Sequence, residues 1–271
     1  MNAKLEKIRE KFKNNEPVFG FHIFLREPDI SEAVGNLNYD FLWIEGEHTA
    51  IDRTAIHNHI MAMNGTNAAC FVRVPWNDPV LVKPVVDMGP DGIIFPMICS
   101  AEDARLAVAS CEYPPKGIRG FGPLRAAKYG LIGNADYIAS ASRDCFKIIQ
   151  IEHINALKEI DAILEVEGID MVVFGPNDLS GSMGKLTQVR DPEVMDVLDQ
   201  FAAACVRHKM PFGVSMGSIP ENMQDWVRRG ANFLSLDGDI SSIMSGAQAT
   251  FAKAQAAYGL KSDSEIKRGA Y

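Results

Sequence analysis

The sequence lacks the features of a membrane-spanning or nucleic-acid-binding protein. No apolar stretch reaches about 18 residues, the length that a transmembrane helix needs. Lysine and arginine form no block, and the net charge of -8 disfavours nucleic acid or an anionic membrane surface as the main partner. We therefore predict neither nucleic acid nor membrane among its partners.

Cysteine is scarce as well, and its pattern indicates a reducing compartment. The five cysteines are odd in number and form no Cys-x-x-Cys pair, and several lie within apolar runs. Residues in such positions are typical of reduced, buried thiols. Because residues 1–16 have the pattern of a charged amphipathic helix rather than of a signal peptide, we expect a cytoplasmic protein.

The signatures of several ligand-binding classes are also missing. The sequence contains no phosphate-binding P-loop and no His-Glu-x-x-His spacing, so we predict no histidine-rich zinc site. No glycine-rich dinucleotide fingerprint follows the first predicted strand, which disfavours an open, doubly wound sheet.

What the sequence does contain is a series of short apolar runs, each followed by a helical pattern. The runs are almost continuously apolar, as in parallel strands that helices cover on both faces. We predict strands at residues 17–24, 40–46, 70–75, 91–97, 146–152, 170–176, 211–217 and 232–238. Eight alternating units predict an α/β protein with a single-domain (β/α)8 barrel, and the open doubly wound sheet is the alternative.

We divide the chain into an N-terminal helix at 1–16, the barrel at 17–258 and a polar tail at 259–271. The longest connection, residues 98–145, follows the fourth strand. Long connections in compact domains tend to be functional, so we predict a lid or rim over the barrel mouth. An ordinary surface excursion is the alternative.

Polar and ionisable residues concentrate where the predicted strands end. In a (β/α)8 barrel these carboxyl ends form the active face. The candidates on strands 2, 3, 5 and 6 are Glu45, Glu47, His48, Arg73, Gln150, Glu152, Asn177 and Asp178.

Glu152 and Asp178 follow neighbouring strands and are candidates for a metal site. Two carboxylates brought close together repel each other unless a proton or a cation lies between them. Together with water or substrate oxygens they form a ligand set that suits Mg²⁺ or Mn²⁺. In the alternative, Asp178 caps the following helical turn and Glu152 pairs with Arg73.

Arg73 and His48 are candidates for the chemical steps. A guanidinium within a barrel strand needs an anionic partner, and its rigid donors suit an enolate or ketone oxygen. A structural ion pair of Arg73 with Glu45 or Glu47 is the alternative. A histidine beside carboxylates can act as a general base near neutral pH, although a lone histidine is more often structural.

Six segments occur in a fixed order along the chain: IEGEH, VRVP, YPPKGIRG, QIE, VEGID and GPNDLS. Together they resemble the HpcH/HpaI family of class II pyruvate aldolases, of the 4-hydroxy-2-oxoheptanedioate type, over residues 17–255. The resemblance implies a (β/α)8 barrel in a homohexamer, a trimer of dimers, with a C-terminal helix exchanged between subunits. It also implies reversible cleavage of a 4-hydroxy-2-oxo acid to pyruvate and an aldehyde, through an enolate that a divalent metal stabilises.

The resemblance assigns the metal and the pyruvate to specific residues. It makes Glu152 and Asp178 the ligands of Mg²⁺ or Mn²⁺, with Co²⁺ as a further option. Gln150 and the backbone around Asn177 and Asp178 would hold the pyruvate carboxylate. Arg73 would bind the substrate and stabilise the enolate.

The resemblance also assigns the proton transfer. His48 would be the acid/base, and Asp87 would raise its basicity through a contact between subunits. Glu45 and Glu47 would orient the groups around His48, and Glu47 would instead pair with Arg73 in the alternative.

The sequence departs from the family pattern at two of these positions. Glu45 stands where the family more often has aspartate, and Asn177 stands where a smaller residue is frequent, so the aldehyde half of the substrate is left open. Two alternatives also stay open. One is another carbon–carbon reaction on the same enolate, such as oxaloacetate decarboxylation, and the other is a barrel that binds oxo acids without turnover.

Overall fold

Eight parallel strands close into a barrel in the order in which they occur along the chain. The computed structural model describes residues 2–217 and 219–260. The strands are β1 Val18–Ile23, β2 Phe41–Glu45, β3 Ala69–Arg73, β4 Gly92–Phe95, β5 Phe146–Ile151, β6 Met171–Phe174, β7 Phe212–Met216 and β8 Phe233–Gly238. Because β1 pairs with both β2 and β8, the sheet has no free edge. The barrel prediction is confirmed, and the open sheet is wrong.

The first helix precedes the barrel and packs at its amino end, and most of the other helices follow strands and cover the outside. The helices are α1 Ala3–Lys13, α2 Pro28–Gly35, α3 Arg53–Ala62, α4 Pro79–Asp87, α5 Ala101–Cys111, α6 Asn134–Ala141, α7 Ile160–Leu164, α8 Pro176–Ser182, α9 Pro192–His208, α10 Pro220–Arg229 and α11 Asp239–Ala257. Side chains cap several of them at the N-terminus: Asp52 accepts from the amide of Ala55 at 2.9 Å, and Asp78 accepts from that of Val80 at 2.7 Å. In the part of the chain that is described, no helix is long and apolar enough to cross a membrane.

Alternate residues of each strand face the helices or the barrel interior. In β5, Ile149 and Ile151 join the core beneath the helices, whereas Phe146 and Ile148 join the interior cluster. Leu5 and Ile8 of α1 belong to that interior cluster and are fully buried, which stabilises the fold by roughly 2 kcal/mol per side chain. The interior is therefore apolar toward the amino ends of the strands, where α1 packs.

The long connection at residues 98–145 does not cover the barrel mouth. Helices that follow strands run antiparallel to them, so the C-terminal ends of α3 and α4 lie at the amino end of the barrel. Arg125 donates to the Asn64 side chain at 3.2 Å, and the amide of Ala126 donates to the carbonyl of Asp87 at 3.3 Å. This part of the connection packs against the amino end of its own barrel, so the prediction of a lid is wrong for the mouth of the same chain.

The remaining sequence predictions concern thiols and chain ends. All five cysteines are free; Cys99 is half-buried and the others are buried, as predicted. Of the predicted polar tail, residues 261–271 lie outside the described residues. The division into helix, barrel and tail stays a prediction.

Candidate active site

The carboxyl ends of β2, β3 and β5 bring Glu45, Arg73 and Gln150 together inside the barrel. Glu45 and Arg73 are direct partners in the β2–β3 register, so their side chains point to the same face. The Arg73 Nε donates to Glu45 Oε2 at 2.8 Å, and Nη2 donates to the same oxygen. Nη1 donates to Gln150 Oε1 at 3.3 Å. The ion pair with Glu45, predicted as the structural alternative for Arg73, is therefore present.

Glu45 also shapes the turn that follows β2. Its Oε1 accepts from the amide of Glu47 at 2.7 Å and from that of His48 at 3.1 Å. Burial opposes ionisation of Glu45, but the charge and hydrogen bonds of Arg73 outweigh burial and lower the pKa. An ionised Glu45 thus connects the guanidinium to the backbone that carries His48.

Glu47 lies between Arg73 and His48. Its Oε2 is 2.9 Å from Arg73 Nη1 and 3.6 Å from His48 Nε2, yet it makes no well-formed hydrogen bond within the described part of the chain. Burial raises the Glu47 pKa to about 7, and the charges of Glu45 and Asp178 add to this while Arg73 opposes it. The His48 side chain is 63% exposed, so it can reach a ligand at the barrel mouth.

Glu152 is buried directly after β5. Its Oε1 accepts from the amide of Met97 at 2.8 Å, and Oε2 accepts from Gln150 Nε2. Burial raises the Glu152 pKa to about 7. The hydrogen bond from the Met97 amide opposes this rise, and the negative charge of Asp178 adds to it. No hydrogen bond or ion pair joins Glu152 to Arg73 among the described residues, because Gln150 bonds to both.

Gly175 allows the chain to pass close to Glu152 on its way into α8. A Cβ at this position would lie 2.3 Å from Glu152 Oε2, a separation that no side chain tolerates. The half-buried Asn177 and the exposed Asp178 follow in the first turn of α8. Glycine therefore lets the first turn of α8, which carries Asp178, follow directly beside Glu152.

Glu152 and Asp178 are the residues that could hold a cation. Their repulsion contributes to the raised Glu152 pKa, and a cation between them would remove the need for the proton. Residues 2–217 and 219–260 contain no group of three or more histidine, cysteine or acidic side chains arranged for a metal. The two-carboxylate set fits a cation that takes its other ligands from substrate and water oxygens.

Asp87 is not brought to His48 within one chain. It ends α4, at the amino end of the barrel, and its Oδ1 accepts from Arg119 Nη2 at 2.7 Å. The predicted role at His48 requires another subunit and stays a prediction.

Sequence reasoning missed a polar group that lies on the opposite wall of the barrel. The Nδ1 atom of His22 on β1 is 3.0 Å from Ser235 Oγ on β8 and 3.1 Å from Ser215 Oγ on β7. The signal in the sequence was a serine at an inward-facing position in each of β7 and β8. Residues 213–217, Gly-Val-Ser-Met-Gly, also match the nucleophile-elbow spacing, but Ser215 lies within β7 rather than on a strand-to-helix turn.

A cleft opens beside Asn177, between α8, β7 and α10. Its lining includes Asn177, Arg190, Ser215, Asn222 and Trp226. Asn177 lines this cleft, whereas His48, Arg73 and Glu152 do not.

Comparison with known proteins identifies the family. Residues 19–245 match the model of the HpcH/HpaI aldolase/citrate lyase family. The chain is 33% identical over 225 residues to the 5-keto-4-deoxy-D-glucarate aldolase of Salmonella arizonae, covering 83% of this chain and 87% of that protein.

Solved structures show the same similarity. The HpcH/HpaI aldolase from Desulfitobacterium hafniense DCB-2 is 28% identical, with a TM-score of 0.83 over 92% of this chain and 96% of that one. An HpcH/HpaI aldolase/citrate lyase family protein from Burkholderia cenocepacia J2315 is 26% identical, with a TM-score of 0.87 over 92% and 99%. The chain belongs to the HpcH/HpaI aldolase/citrate lyase family and is a carbon–carbon lyase, which sets aside the alternative of a barrel without turnover.

Proposed function

We propose that this lyase is a divalent-metal-dependent aldolase that reversibly cleaves a 4-hydroxy-2-oxo acid to pyruvate and an aldehyde. The observation that carries the proposal is buried Glu152, which lies beside the charge of Asp178 and is linked to Arg73 through Gln150. Membership of an aldolase and citrate lyase family supports a small oxo acid as substrate.

Glu152 and Asp178 would hold the cation. Oxygen ligands of this kind suit Mg²⁺ or Mn²⁺, and they also admit Co²⁺. When bound, the cation would polarise the 2-oxo group of the substrate as a Lewis acid.

Gln150 and Arg73 would bind the oxo acid. Gln150 lies between the guanidinium and Glu152, so it can orient the pyruvate carboxylate together with the backbone around Asn177 and Asp178. Arg73 keeps one side of its guanidinium on Glu45 and would direct Nη1 to the oxygen on which charge develops. This interaction strengthens as the enolate forms, so it accelerates the reaction rather than only improving binding.

His48 would remove the proton from the C4 hydroxyl group, after which the C3–C4 bond breaks. Its exposed side chain suits access to the substrate, and Glu47 provides a carboxylate 3.6 Å from Nε2. Protonation at C3 then yields pyruvate. Asp87 of a second subunit would act on His48 in the assembled enzyme.

The assembled enzyme is proposed to be a homohexamer, a trimer of dimers with α11 exchanged between subunits. Within α11, all of whose residues are described, Asp239 alone is buried. Ile240, Ile243, Met244 and Phe251 are all exposed on this helix. A helix gains most of its stability from packing an apolar face, so a neighbouring subunit would supply the missing contact. A cytoplasmic location likewise stays a prediction.

The test is cleavage of a panel of 4-hydroxy-2-oxo acids, with pyruvate release measured with Mn²⁺ and again with EDTA. We expect metal-dependent release that Glu152→Gln and Asp178→Asn each abolish. Asp161→Asn, which changes an exposed carboxylate on α7, is the matched control and should leave the rate unchanged. Failure to release pyruvate from any member of the panel with any divalent metal would contradict the proposal.

Decarboxylation of oxaloacetate on the same residues is the second candidate. It is favoured by one observation: His48 contacts Glu47 at 3.6 Å rather than through a hydrogen bond, so the described network leaves it loosely held. Decarboxylation needs the enolate-stabilising groups but no base for a C4 hydroxyl.

A further inference from the structure

A polar chain crosses the barrel from the half-buried Ser215 on β7 and the buried Ser235 on β8 to β2, and the proposed mechanism does not use it. Ser215 and Ser235 each place a hydroxyl group near His22 Nδ1, at 3.1 Å and 3.0 Å. On the other side of the ring, His22 Nε2 is 4.0 Å from Glu45 Oε2. That oxygen is the one that accepts from Arg73. The chain therefore ends on the guanidinium of the proposed active site.

The imidazole of His22 is held in one orientation. The side chain is 4% exposed, and its ring lies 5.1 Å from that of Phe24 and 4.4 Å from that of Trp43, centroid to centroid. Burial lowers the His22 pKa to about 3, although the charge of Glu45 opposes this, and Arg73 lowers the pKa further. His22 is thus neutral at physiological pH.

A neutral imidazole has one N–H donor and one acceptor nitrogen, and the surroundings select between the two forms. With the proton on Nε2, the N–H points toward the Glu45 carboxylate and Nδ1 accepts from the serine hydroxyl groups. The opposite form would direct a lone pair at a buried carboxylate, which is unfavourable in surroundings of low polarity. The Glu45 carboxylate, which can only accept, therefore favours the proton on Nε2, and the serine hydroxyl groups can donate to Nδ1.

We propose that His22 is a positioning residue that sets the orientation of Glu45 and, through it, of Arg73. The Nε2–H group holds Oε2 at the rotation in which this oxygen accepts from Arg73 while Oε1 accepts from the amides of Glu47 and His48. The distance of 4.0 Å is longer than a hydrogen bond, so the contact is an electrostatic attraction between the N–H dipole and the carboxylate. The catalytic consequence rests on the proposed function, because Arg73 acts there on the enolate.

In an alternative interpretation, Ser215 of the Gly-Val-Ser-Met-Gly segment is a nucleophile. Its place within β7 and its neutral, weakly basic neighbour His22 favour a hydrogen-bond donor instead. Hydrolysis of p-nitrophenyl acetate that disappears in Ser215→Ala would establish the nucleophile and overturn the positioning role of the chain.

The test compares His22→Phe with His22→Gln. Phenylalanine keeps a flat ring but donates nothing to Glu45, whereas glutamine offers both a donor and an acceptor. The readout is exchange of the pyruvate methyl hydrogens in D₂O with Mn²⁺. We expect a fall of about tenfold in kcat for His22→Phe with KM changed less than about twofold, since small misplacements of catalytic groups act mainly on the transition state. His22→Gln should retain most of the rate.

His59→Phe is the matched control for the loss of a buried histidine. His59 lies on α3, is fully buried and bonds to Ser31 Oγ at 2.8 Å, outside the active site. The His59→Phe substitution should lower the melting temperature without changing kcat. Equal rate losses in His22→Phe and His22→Gln, or no loss in either, would overturn the proposal.

A crystal structure of His22→Phe supplies a readout that does not depend on activity. We expect the Glu45 Oε2–Arg73 Nε distance, 2.8 Å here, to exceed 3.5 Å in at least one conformer. An unchanged distance would overturn the positioning role. If the wild-type protein fails to exchange pyruvate, the proposed function fails, and this distance still decides the role of His22.

Discussion

Both ends of the barrel bury charged groups, but they balance them differently. At the amino end, Lys147 Nζ lies 3.2 Å from Glu112 and 3.8 Å from Asp170, and Arg9 is 3.9 Å from Asp170. Two positive groups thus meet two negative ones. At the carboxyl end, Arg73 is set among a larger number of carboxylates: Glu45, Glu47, Glu152 and Asp178.

The charges at the amino end stabilise the fold, whereas those at the carboxyl end are arranged to bind a ligand. Burial of a carboxylate is costly unless a cation or hydrogen-bond donors compensate for it. Lys147 supplies part of this at the amino end, although burial still raises the Asp170 pKa, and Lys147 itself also donates to the carbonyl of Ser142 at 2.8 Å. At the carboxyl end, burial raises the pKa of Glu47 and Glu152 to about 7, and the excess of negative charge around them adds to this rise. A divalent cation would complete the balance there.

Removing the proposed metal ligand should have the largest effect. Glu152→Gln keeps the shape of the side chain but removes the charge, so we expect catalysis to fall by about 10³-fold or more, corresponding to several kcal/mol of transition-state stabilisation. The variant should be at least as stable as the wild type without metal, because it removes a buried carboxylate. Turnover and urea unfolding measure the two effects. A variant that retains metal-dependent turnover would contradict the assignment of Glu152.

His48→Ala should divide the two candidate reactions. Aldol cleavage should fall by about 10² to 10⁴-fold, the usual contribution of general acid–base catalysis. Oxaloacetate decarboxylation should persist. Parallel assays with both substrates measure this, and equal losses in the two would show that His48 is needed for more than the C4 hydroxyl group.

A substitution at the amino end should change the stability of the protein and not its catalytic rate. Lys147→Met leaves two half-buried carboxylates without their main partner, so we expect a loss of roughly 2 kcal/mol in the free energy of unfolding. Turnover per folded molecule should stay the same. Unfolding in urea and the rate corrected for folded fraction provide the measurement. A loss of turnover in fully folded Lys147→Met would remove the distinction between the two ends.

Stability without metal should also depend on pH. Glu47 and Glu152 have a folded-state pKa of about 7 against an ordinary value of 4.5, so the native state binds more protons than the unfolded state in this window. The free energy of unfolding in EDTA should therefore decrease as pH rises from about 4.5 to 7. The double variant Glu47→Gln/Glu152→Gln should show a weaker decrease. If the two proteins follow the same curve, neither carboxylate has the raised pKa.

The positions of Glu45, Arg73 and Gln150 near the strand ends could be predicted from the sequence because each of these polar residues interrupts or ends a buried apolar run. The period of two correctly separated Gln150 from Ile149 and Ile151, and the β2–β3 register then made Glu45 the partner of Arg73. The run and its final residues are local features, and closure of the barrel collects them at one mouth.

What the sequence could not provide depends on contacts between distant segments. The path of residues 98–145 is determined by tertiary contacts such as that of Arg125 with Asn64, and no local pattern encodes its direction. Likewise, His22 meets Ser215 and Ser235 only because β8 returns to pair with β1. The predicted contact of Asp87 with His48 depends on a second subunit, so it cannot be read from the sequence or from the single chain.

The most direct measurement is hydrogen exchange at the methyl group of pyruvate in D₂O, followed by NMR with Mn²⁺ and again with EDTA. It requires no knowledge of the aldehyde. We expect exchange with the metal, no exchange with EDTA, and none for Asp178→Asn at either condition. Absence of exchange with every divalent metal would contradict enolate chemistry at Glu152 and Asp178, and the excess negative charge at the carboxyl end would then need another explanation.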